Sequence, residues 1–306
     1  TRILYVTGDD NVDRAVRTLA NLRVIVGHER PKLRHNRLTG TPEDGDTAFT
    51  DHMFTALRER IEEEYKVKWQ TDELWAQVLR TAAERAYHPV VEWLDALPKW
   101  DGRHRCPLEG VFGIQTELHV TLMRKWLLGA VARAYDPGCS HHDGVLVLVG
   151  DQGVGKSRFF RALLPQWCGS VSLMRNYRDD TMVCRQNFIS EIDEIDQYLI
   201  GAGAAYAKAF FSRPVDSYRA PYARTQTSEH RMFVLCGTTN SRTFLVDSTG
   251  DRRYWAVEVG KGNLSWLEAY REQMWAEMLH AFRSGENVHL PEHMKAAHVE
   301  EAACPR

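Results

Sequence analysis

The stretch GDQGVGKS, from Gly150 to Ser157, decides the fold of this chain. Its spacing is GxxxxGK[ST], in which a glycine-rich loop surrounds phosphate groups while the lysine and hydroxyl side chains contact them. The apolar run VLVLV at 145–149 precedes the loop, and RFFRALLP at 158–165 follows it. A buried strand, a loop and a helix in this order place phosphate at a helix N-terminus. The stretch therefore predicts a site for a nucleoside triphosphate.

The loop residues have distinct expected contacts. The backbone amides should surround the phosphates, Lys156 should reach the β and γ phosphates, and the Ser157 hydroxyl should hold Mg²⁺. The residues expected to bind ATP are Gly150, Asp151, Gln152, Gly153, Val154, Gly155, Lys156, Ser157 and Arg158.

Short apolar runs on both sides of this loop indicate a sheet. They are VLVLVG at 145–150, SVSL at 170–173, NFIS at 187–190, RMFVLCG at 231–237 and RRYWAVEV at 252–259. Helical or mixed segments separate them, and such crossovers are typical of parallel strands covered on both faces. We expect an α/β protein with a mostly parallel five-stranded sheet.

The remaining sequence divides into further segments. Residues 1–48 are mixed and contain the β-like runs ILYV and RVIV, whereas 49–140 place apolar residues three and four apart, as helices do. We therefore expect a mixed N-terminal segment at 1–48, a helical domain at 49–140, a P-loop ATPase core at 141–262 and a helical C-terminal segment at 263–306.

Composition narrows the class of protein. The 306 residues suffice for roughly two domains of about 150 residues. Lys and Arg total 39 against 41 Asp and Glu, so affinity for nucleic acid would need local basic patches. No run approaches the roughly 20 apolar residues that span a bilayer, and the scattered cysteines suggest neither a zinc site nor disulfides. A cytoplasmic location is expected, and the start at Thr1 without a methionine fits a fragment of a longer protein.

Acidic residues crowd the end of one apolar run, in FISEIDEID at 188–196. Hydrolysis of a triphosphate needs one carboxylate for the Mg²⁺ shell and another that orients water. Glu191 and Glu194 fit these roles if the strand ends near Ser190, while Asp193 and Glu194 are the more usual pair. The alternative is a solvated helix start, because acids favour helix N-termini. We expect Ser157, Glu191 and Asp193 as candidate Mg²⁺ ligands.

An amide ends the next apolar run, RMFVLCGTTN at 231–240. If this strand neighbours 145–149, Asn240 lies beside the loop, where an amide can hold the attacking water and the γ-phosphate. The alternative is an asparagine that forms a turn.

Two adjacent arginines, Arg252 and Arg253, open the last strand-like run after the turn DSTGD. An arginine supplied from outside a pocket can stabilise the charge that develops during phosphoryl transfer. We expect at least one of them to serve the ATP of a neighbouring subunit. Salt bridges to Asp247 or Asp251 are the alternative.

Cations alternate with aromatic residues in segment 208–231. Arginines grip phosphates and aromatic rings stack on bases, a combination suited to single strands. The alternative is that the tyrosines are packed and the arginines pair between subunits or reach ATP. The candidate contacts are Lys208, Arg213, Tyr218, Arg219, Tyr222 and Arg224.

These motifs together resemble the virulence-associated protein E (VapE) family of phage and mobile-element ATPases. The resemblance covers the chain from about Asn21 onward. It is carried by GDQGVGKS, SEIDEI at 190–195, RPVDSYRAPYAR at 213–224, GTTN at 237–240, TGDRRYW at 249–255 and PKWDGRHR at 98–105. One departure is Asp193, where the family often has a small residue, so the acid that anchors Mg²⁺ stays open.

The resemblance has implications for fold and function. The family is similar to superfamily-3 helicases and the AAA+ class, which implies a ring of subunits, such as a hexamer, with ATP and Mg²⁺ at the interfaces. It implies a DNA motor that replicates a phage or genomic island in a bacterial cytoplasm, on single-stranded or forked DNA and beside a primase. A nucleotide-switched scaffold or loader is the main alternative, and a small-molecule kinase is a third.

Overall fold

The structure is a computed structural model that describes residues 2–138, 144–199, 203–218, 227–241, 253–295 and 297. The chain divides into two compact units, Thr1–Pro89 and Val90–Arg306. This division falls inside the segment 49–140 that the sequence predicts as one helical domain. The helices up to residue 83 share an apolar core with the N-terminal residues, which is why they belong to the first unit.

The first unit combines small antiparallel sheets with three helices. Its strands are β1 (Tyr5–Thr7), β2 (Asp13–Ala15), β3 (Leu33–Asn36), β4 (Thr41–Asp44) and β5 (Thr47–Ala48), and its helices are α1 (Leu19–Glu29), α2 (Asp51–Tyr65) and α3 (Thr71–Ala83). Strands β1 and β2 pair with each other, and β3, β4 and β5 form a separate antiparallel sheet. The apolar faces of the helices form one core with Leu33 of β3.

The run RVIV, predicted as β-like, is helical. It lies inside α1, which begins after Thr18, whose side chain accepts a hydrogen bond from the Asn21 backbone. Leu22, Ile25 and Val26 are all buried on one face of this helix. That spacing of three and four residues outweighs the strand preference of Val and Ile, because burial contributes more than intrinsic propensity.

The second unit contains the predicted nucleotide loop. Its helices are α4 (Pro89–Asp95), α5 (Pro107–Phe112), α6 (Glu117–Tyr135), α7 (Lys156–Leu163), α8 (Tyr177–Cys184), α9 (Asp196–Leu199), α10 (Ala204–Phe211) and α11 (Ser265–Arg283). Its strands are β6 (Val145–Val149), β7 (Cys168–Val171), β8 (Ile189–Ile192), β9 (Val215–Tyr218), β10 (Thr227–His230), β11 (Val234–Thr239) and β12 (Tyr254–Glu258). Among the helices of the described residues, none has the length and apolar character needed to cross a membrane.

Five strands of this unit form one parallel sheet in the order β12, β6, β11, β8, β7. The α/β class and the parallel sheet are therefore confirmed. Strand β11 lies between β6 and β8 and pairs with both. In such a sheet, ligands bind beyond the carboxyl ends of the strands, near the place where the strand order reverses. The residues that follow β6, β8 and β11 consequently meet at one edge.

Helices fix the sheet from its faces. The five residues of β6 are all buried, as expected for a strand covered on both sides. The Trp126 indole of α6 donates to the Leu235 carbonyl at 3.0 Å, and Arg133 donates to the Phe233 carbonyl at 2.8 Å. The Trp275 indole of α11 donates to the Leu163 carbonyl at 2.9 Å, at the last residue of α7. These bonds satisfy buried polar groups while they hold the loop helix in place.

The connector PKWDGRHR at 98–105 lies against α11. The Asp101 backbone donates to Gln273 at 2.9 Å, and the Arg105 backbone donates to Glu277 at 2.8 Å. The Trp100 ring packs against His280, with centroids 4.9 Å apart. This motif therefore has a structural role in the described residues, because it anchors the chain between α4 and α5 to the last helix.

Candidate nucleoside triphosphate site

Glycines shape the loop between β6 and α7. Gly153 and Gly155 have φ values of 85° and 103°, a region that side chains rarely adopt. A Cβ on Gly150 would lie 2.3 Å from the carbonyl oxygen of Val259, the residue after β12. The loop thus needs glycine for its turn and for its close approach to β12. Helix α7 begins at Lys156, so its unpaired amides and the positive end of its dipole lie at this loop.

Lys156 extends back over the loop. Its ammonium donates to the carbonyls of Gly150 at 2.6 Å and Asp151 at 2.9 Å, and to the Asn240 side-chain oxygen at 2.8 Å. Burial lowers the pKa of Lys156, while the carboxylates of Asp151 and Asp193 oppose that shift. These three hydrogen-bond partners are neutral oxygens, which an anionic ligand can replace.

Glu191 occupies the buried side of the site. Strand β8 ends at Ile192 and not near Ser190, so Glu191 lies within the strand and is only 1% exposed. Burial raises the pKa of Glu191, and hydrogen bonds from the Ser157 and Thr238 hydroxyls oppose that shift. The predicted loop hydroxyl and one predicted acid are therefore in contact.

Asp193 and Glu194 follow the strand and are exposed. The Thr238 hydroxyl lies 3.0 Å from an Asp193 oxygen and 3.2 Å from a Glu191 oxygen. The Glu194 backbone has a φ of 48° and donates to the Asp193 side chain at 3.1 Å. Helix α9 begins at Asp196, so Asp193 and Glu194 precede its first residue.

Asn240 directly follows β11. It lies beside the loop because β11 pairs with β6, the strand that precedes the loop. Its side-chain oxygen accepts the Lys156 bond, which leaves the amide NH₂ as a donor. The preceding Thr239 donates to Asp196 at 2.6 Å and accepts from the Ser241 backbone at 3.0 Å. The strand tip is thus tied to both the loop and the acidic segment.

These side chains enclose one pocket of about 300 Å³, near the lower end of the range for ligand sites. Its lining combines loop residues, acids and the tip of β11. The residues are Gln152, Gly153, Gly155, Lys156, Ser157, Arg158, Asp193, Glu194, Thr238, Thr239 and Asn240. Of the residues predicted to bind ATP or Mg²⁺, Gly150, Asp151, Val154 and Glu191 lie outside this lining, and Glu191 lies behind it, where it accepts from Thr238.

The three side chains expected to hold Mg²⁺ all offer oxygen atoms. The Ser157 hydroxyl and the carboxylates of Glu191 and Asp193 are ligands of the type that Mg²⁺ prefers. No cluster of three or more metal-binding side chains occurs in the portion of the chain that the structure describes. Mg²⁺ that accompanies a nucleotide commonly uses one or two carboxylates together with phosphate and water, so the residues present fit this ion.

Thr238, Thr239 and Asp196 contact the site but are not among the residues predicted from the sequence. A signal for the two threonines was present as TTN at 238–240, where two hydroxyls precede the amide, and Asp196 is the last acid of FISEIDEID at 188–196. Hydrophobic periodicity predicts that this strand is buried, but it does not show which groups the threonine hydroxyls contact.

The structure describes only one of the two adjacent arginines, Arg252 and Arg253. Arg252 lies outside the described residues. Arg253 directly precedes β12, and its carbonyl accepts from the Val145 backbone at 2.7 Å. Because β12 and β6 run parallel from this pair, Arg253 is at the amino end of the sheet, opposite the loop that follows Val149. Its role in a neighbouring subunit stays a prediction.

The predicted nucleic-acid segment contains an antiparallel pair of strands. Strands β9 and β10 pair from Val215 with His230 to Tyr218 with Thr227. Arg219, Tyr222 and Arg224 lie outside the described residues, as does the side chain of Tyr218. Lys208 is half-buried on α10, whereas Arg213 is exposed and lies 3.9 Å above the Tyr177 ring. Contact with nucleic acid stays a prediction for all of these residues.

Arg231, Phe210 and Phe211 do not face solvent, although the sequence places them in the same basic and aromatic segment. Phe210 and Phe211 belong to the core. Arg231 is 1% exposed, donates to Asp216 at 2.7 Å and to the Phe210 carbonyl at 2.8 Å, and lies between two phenylalanine rings. A buried guanidinium needs such a partner, since an unpaired buried charge is costly.

Replacing Arg231 with methionine should lower the free energy of unfolding by about 3–5 kcal/mol, because Asp216 would remain as a buried charge without its partner. Urea unfolding measures this change. The double variant Asp216→Leu/Arg231→Met is the control, since replacing both charges with apolar groups removes that penalty. A loss below about 1 kcal/mol in the single variant would contradict a dry, paired environment.

Fold and site together define an α/β protein with a glycine-rich loop, a buried acid and a strand-tip amide at the carboxyl edge of a parallel sheet. A family model described as the Virulence-associated protein E-like domain matches residues 94–304, more than half of the chain. The chain therefore belongs to this family. The match begins at residue 94, so residues 21–93, part of the expected resemblance, lie outside it.

Comparison with solved structures extends the fold assignment. The A form apo structure of the NrS-1 C-terminal region (CTR) is 12% identical with a TM-score of 0.53, covering 92% of this chain and 74% of that one. A second A form apo structure, CTR(305-718), is 12% identical with a TM-score of 0.54 and coverages of 94% and 75%. At this identity the likeness concerns the fold. No match emerges from a search of curated proteins.

Proposed function

We propose that this chain is an ATPase that drives a ring-shaped motor on DNA during replication of a phage or mobile genetic element. The observation that carries the proposal is the meeting of Lys156, Asn240 and the acidic residues at one pocket. These groups come from three different strand ends, as expected at the carboxyl edge of a parallel sheet. Membership of the VapE-like family supports the phage or mobile-element context.

ATP would bind with its phosphates over the loop. The amides at the start of α7 and the ammonium of Lys156 supply positive charge where the phosphates lie. Within the described residues, the hydrogen-bond partners of the Lys156 ammonium are neutral oxygens, and a phosphate can take their place. Ser157, Glu191 and Asp193 would hold Mg²⁺, which supplies Lewis-acid stabilisation of the phosphate charge.

Hydrolysis then requires an oriented water. The water oxygen forms a bond to the γ-phosphorus while the bond to the β–γ bridging oxygen breaks, and the products are ADP and phosphate. A carboxylate of the 191–194 segment accepts the proton of the water. The side-chain oxygen of Asn240 accepts from Lys156, and its amide NH₂ can donate to the γ-phosphate or the water. Such positioning supplies most of the catalysis in phosphoryl transfer.

DNA would contact the basic segment that contains the β9–β10 pair. Arg213 is exposed at its base, and the predicted cations and aromatic residues of 218–224 follow in the chain. The segment is joined directly to β11, whose other end carries Asn240. A motor needs such a connection between the polymer and the nucleotide site, and a ring would bring a neighbour's arginine to each pocket.

Steady-state ATP hydrolysis with and without saturating single-stranded DNA tests this function. We expect turnover at low ionic strength, and we expect DNA to increase it. Stimulation should fall steeply as salt rises, because phosphate contacts release counterions.

The outcomes separate the alternatives. Turnover that DNA does not change at any salt concentration would favour a nucleotide-switched scaffold or loader. A phosphorylated small molecule among the products would favour a kinase. Absence of hydrolysis under all conditions would contradict the ATPase itself.

A further inference from the structure

One buried hydroxyl bridges two acids of the candidate site. Thr238 is 2% exposed, and its Oγ1 lies 3.2 Å from an oxygen of Glu191 and 3.0 Å from an oxygen of Asp193. Glu191 is buried in β8, whereas Asp193 is exposed beyond the strand end and lines the pocket. The hydroxyl therefore joins a buried carboxylate to one that faces the pocket.

A hydroxyl has one proton and can donate it to one carboxylate at a time, or share it between two. Either arrangement holds both acids near β11 and lowers the freedom of the exposed Asp193 side chain. We propose that Thr238 is a positioning residue, which sets the arrangement of Glu191 and Asp193 toward Mg²⁺ and the nucleotide. This inference rests on the proposed function.

The backbone around Thr238 is held independently of its hydroxyl. The Ile195 backbone donates to the Thr238 carbonyl at 3.0 Å, and Thr239 binds Asp196 through its own side chain. Gly237 packs closely against Ile195: a Cβ on this glycine would be 2.7 Å from the isoleucine side chain. Loss of the Thr238 hydroxyl should therefore remove the link between the two carboxylates and leave the strand and the segment in place.

The valine and serine variants of Thr238 isolate the hydroxyl. Thr238→Val keeps the branched shape and the strand preference but removes the oxygen. Loss of a group that orients metal ligands typically costs about 10- to 100-fold in metal affinity or activity, so we expect Thr238→Val to raise the Mg²⁺ concentration for half-saturation about 10-fold or more. Thr238→Ser keeps the oxygen and should restore most of the wild-type dependence.

Mg²⁺-dependent binding of a fluorescent, non-hydrolysable ATP analogue is the primary measurement, with turnover against Mg²⁺ concentration as the second. Thr81→Val is the matched control, since Thr81 is buried in α3 of the first unit and its hydroxyl has no hydrogen bond within the described residues. Thermal unfolding of each variant detects a general loss of stability.

A wild-type Mg²⁺ dependence in Thr238→Val would overturn the inference, as would equal defects in the valine and serine variants. These results differ from failure of the proposed function. If the wild-type chain binds the analogue with Mg²⁺ but hydrolyses no ATP, the ATPase proposal fails while the binding experiment still tests Thr238.

Discussion

Replacing Lys156 with alanine is expected to reduce ATP turnover to background. The ammonium of Lys156 is the cation that bonds the loop carbonyls and Asn240 within the pocket. In the proposed function, this cation meets the charge that develops on the γ-phosphate. Removing one preorganised donor of this kind costs about 10²- to 10³-fold in kcat, and here the donor is a full charge. A coupled assay for ADP release measures the loss.

A second lysine variant controls for the loss of one positive charge. Lys99→Ala is the control, because Lys99 is exposed on the connector before α5. Within the described residues its carbonyl accepts a hydrogen bond from Gln273, which the substitution leaves in place. We expect wild-type turnover in that variant. An active Lys156→Ala protein with unchanged kcat would exclude the loop as the site of hydrolysis, and nucleotide binding would then have to occur elsewhere.

The strand–loop–helix unit is predictable because its signals are local. The loop spacing, the apolar run before it and the helical period after it lie within about 20 consecutive residues, a range over which periodicity and turn chemistry are reliable. The same holds for α11 and α6, whose apolar spacing runs over many turns. The run RVIV misled because four residues are too few to separate a buried helix turn from a strand.

The contacts within the site are less predictable. The sequence left open whether β11 lies next to β6, and in the structure the two strands pair. The depth of Glu191 depends on where β8 ends, and strand ends cannot be located from composition. The partners of Thr238 and Arg231 follow from tertiary packing, which brings together residues 47 and 15 positions apart in the chain.

The position of Arg253 in the sheet limits which pocket its side chain can reach. Arg253 precedes β12 at the end of the sheet where β6 begins, and the loop follows the end of β6. Five strand residues at about 3.3 Å each separate the two ends. An arginine side chain is too short to span that distance, so Arg253 cannot reach the pocket beside the loop of its own chain while β12 is in place.

Replacing Arg253 with alanine is therefore expected to lower kcat by about 10³-fold or more while ATP binding persists, since an arginine supplied in trans contributes about 10³- to 10⁵-fold. Mixing this variant with Lys156→Ala distinguishes a role in trans from a local defect. In a mixed ring, an Arg253→Ala subunit keeps an intact pocket, and a Lys156→Ala neighbour still supplies an arginine. Turnover should then exceed that of either variant alone and vary with the mixing ratio. A mixture no more active than its components, with rings shown to exchange subunits, would exclude Arg253 as the residue that acts across the interface.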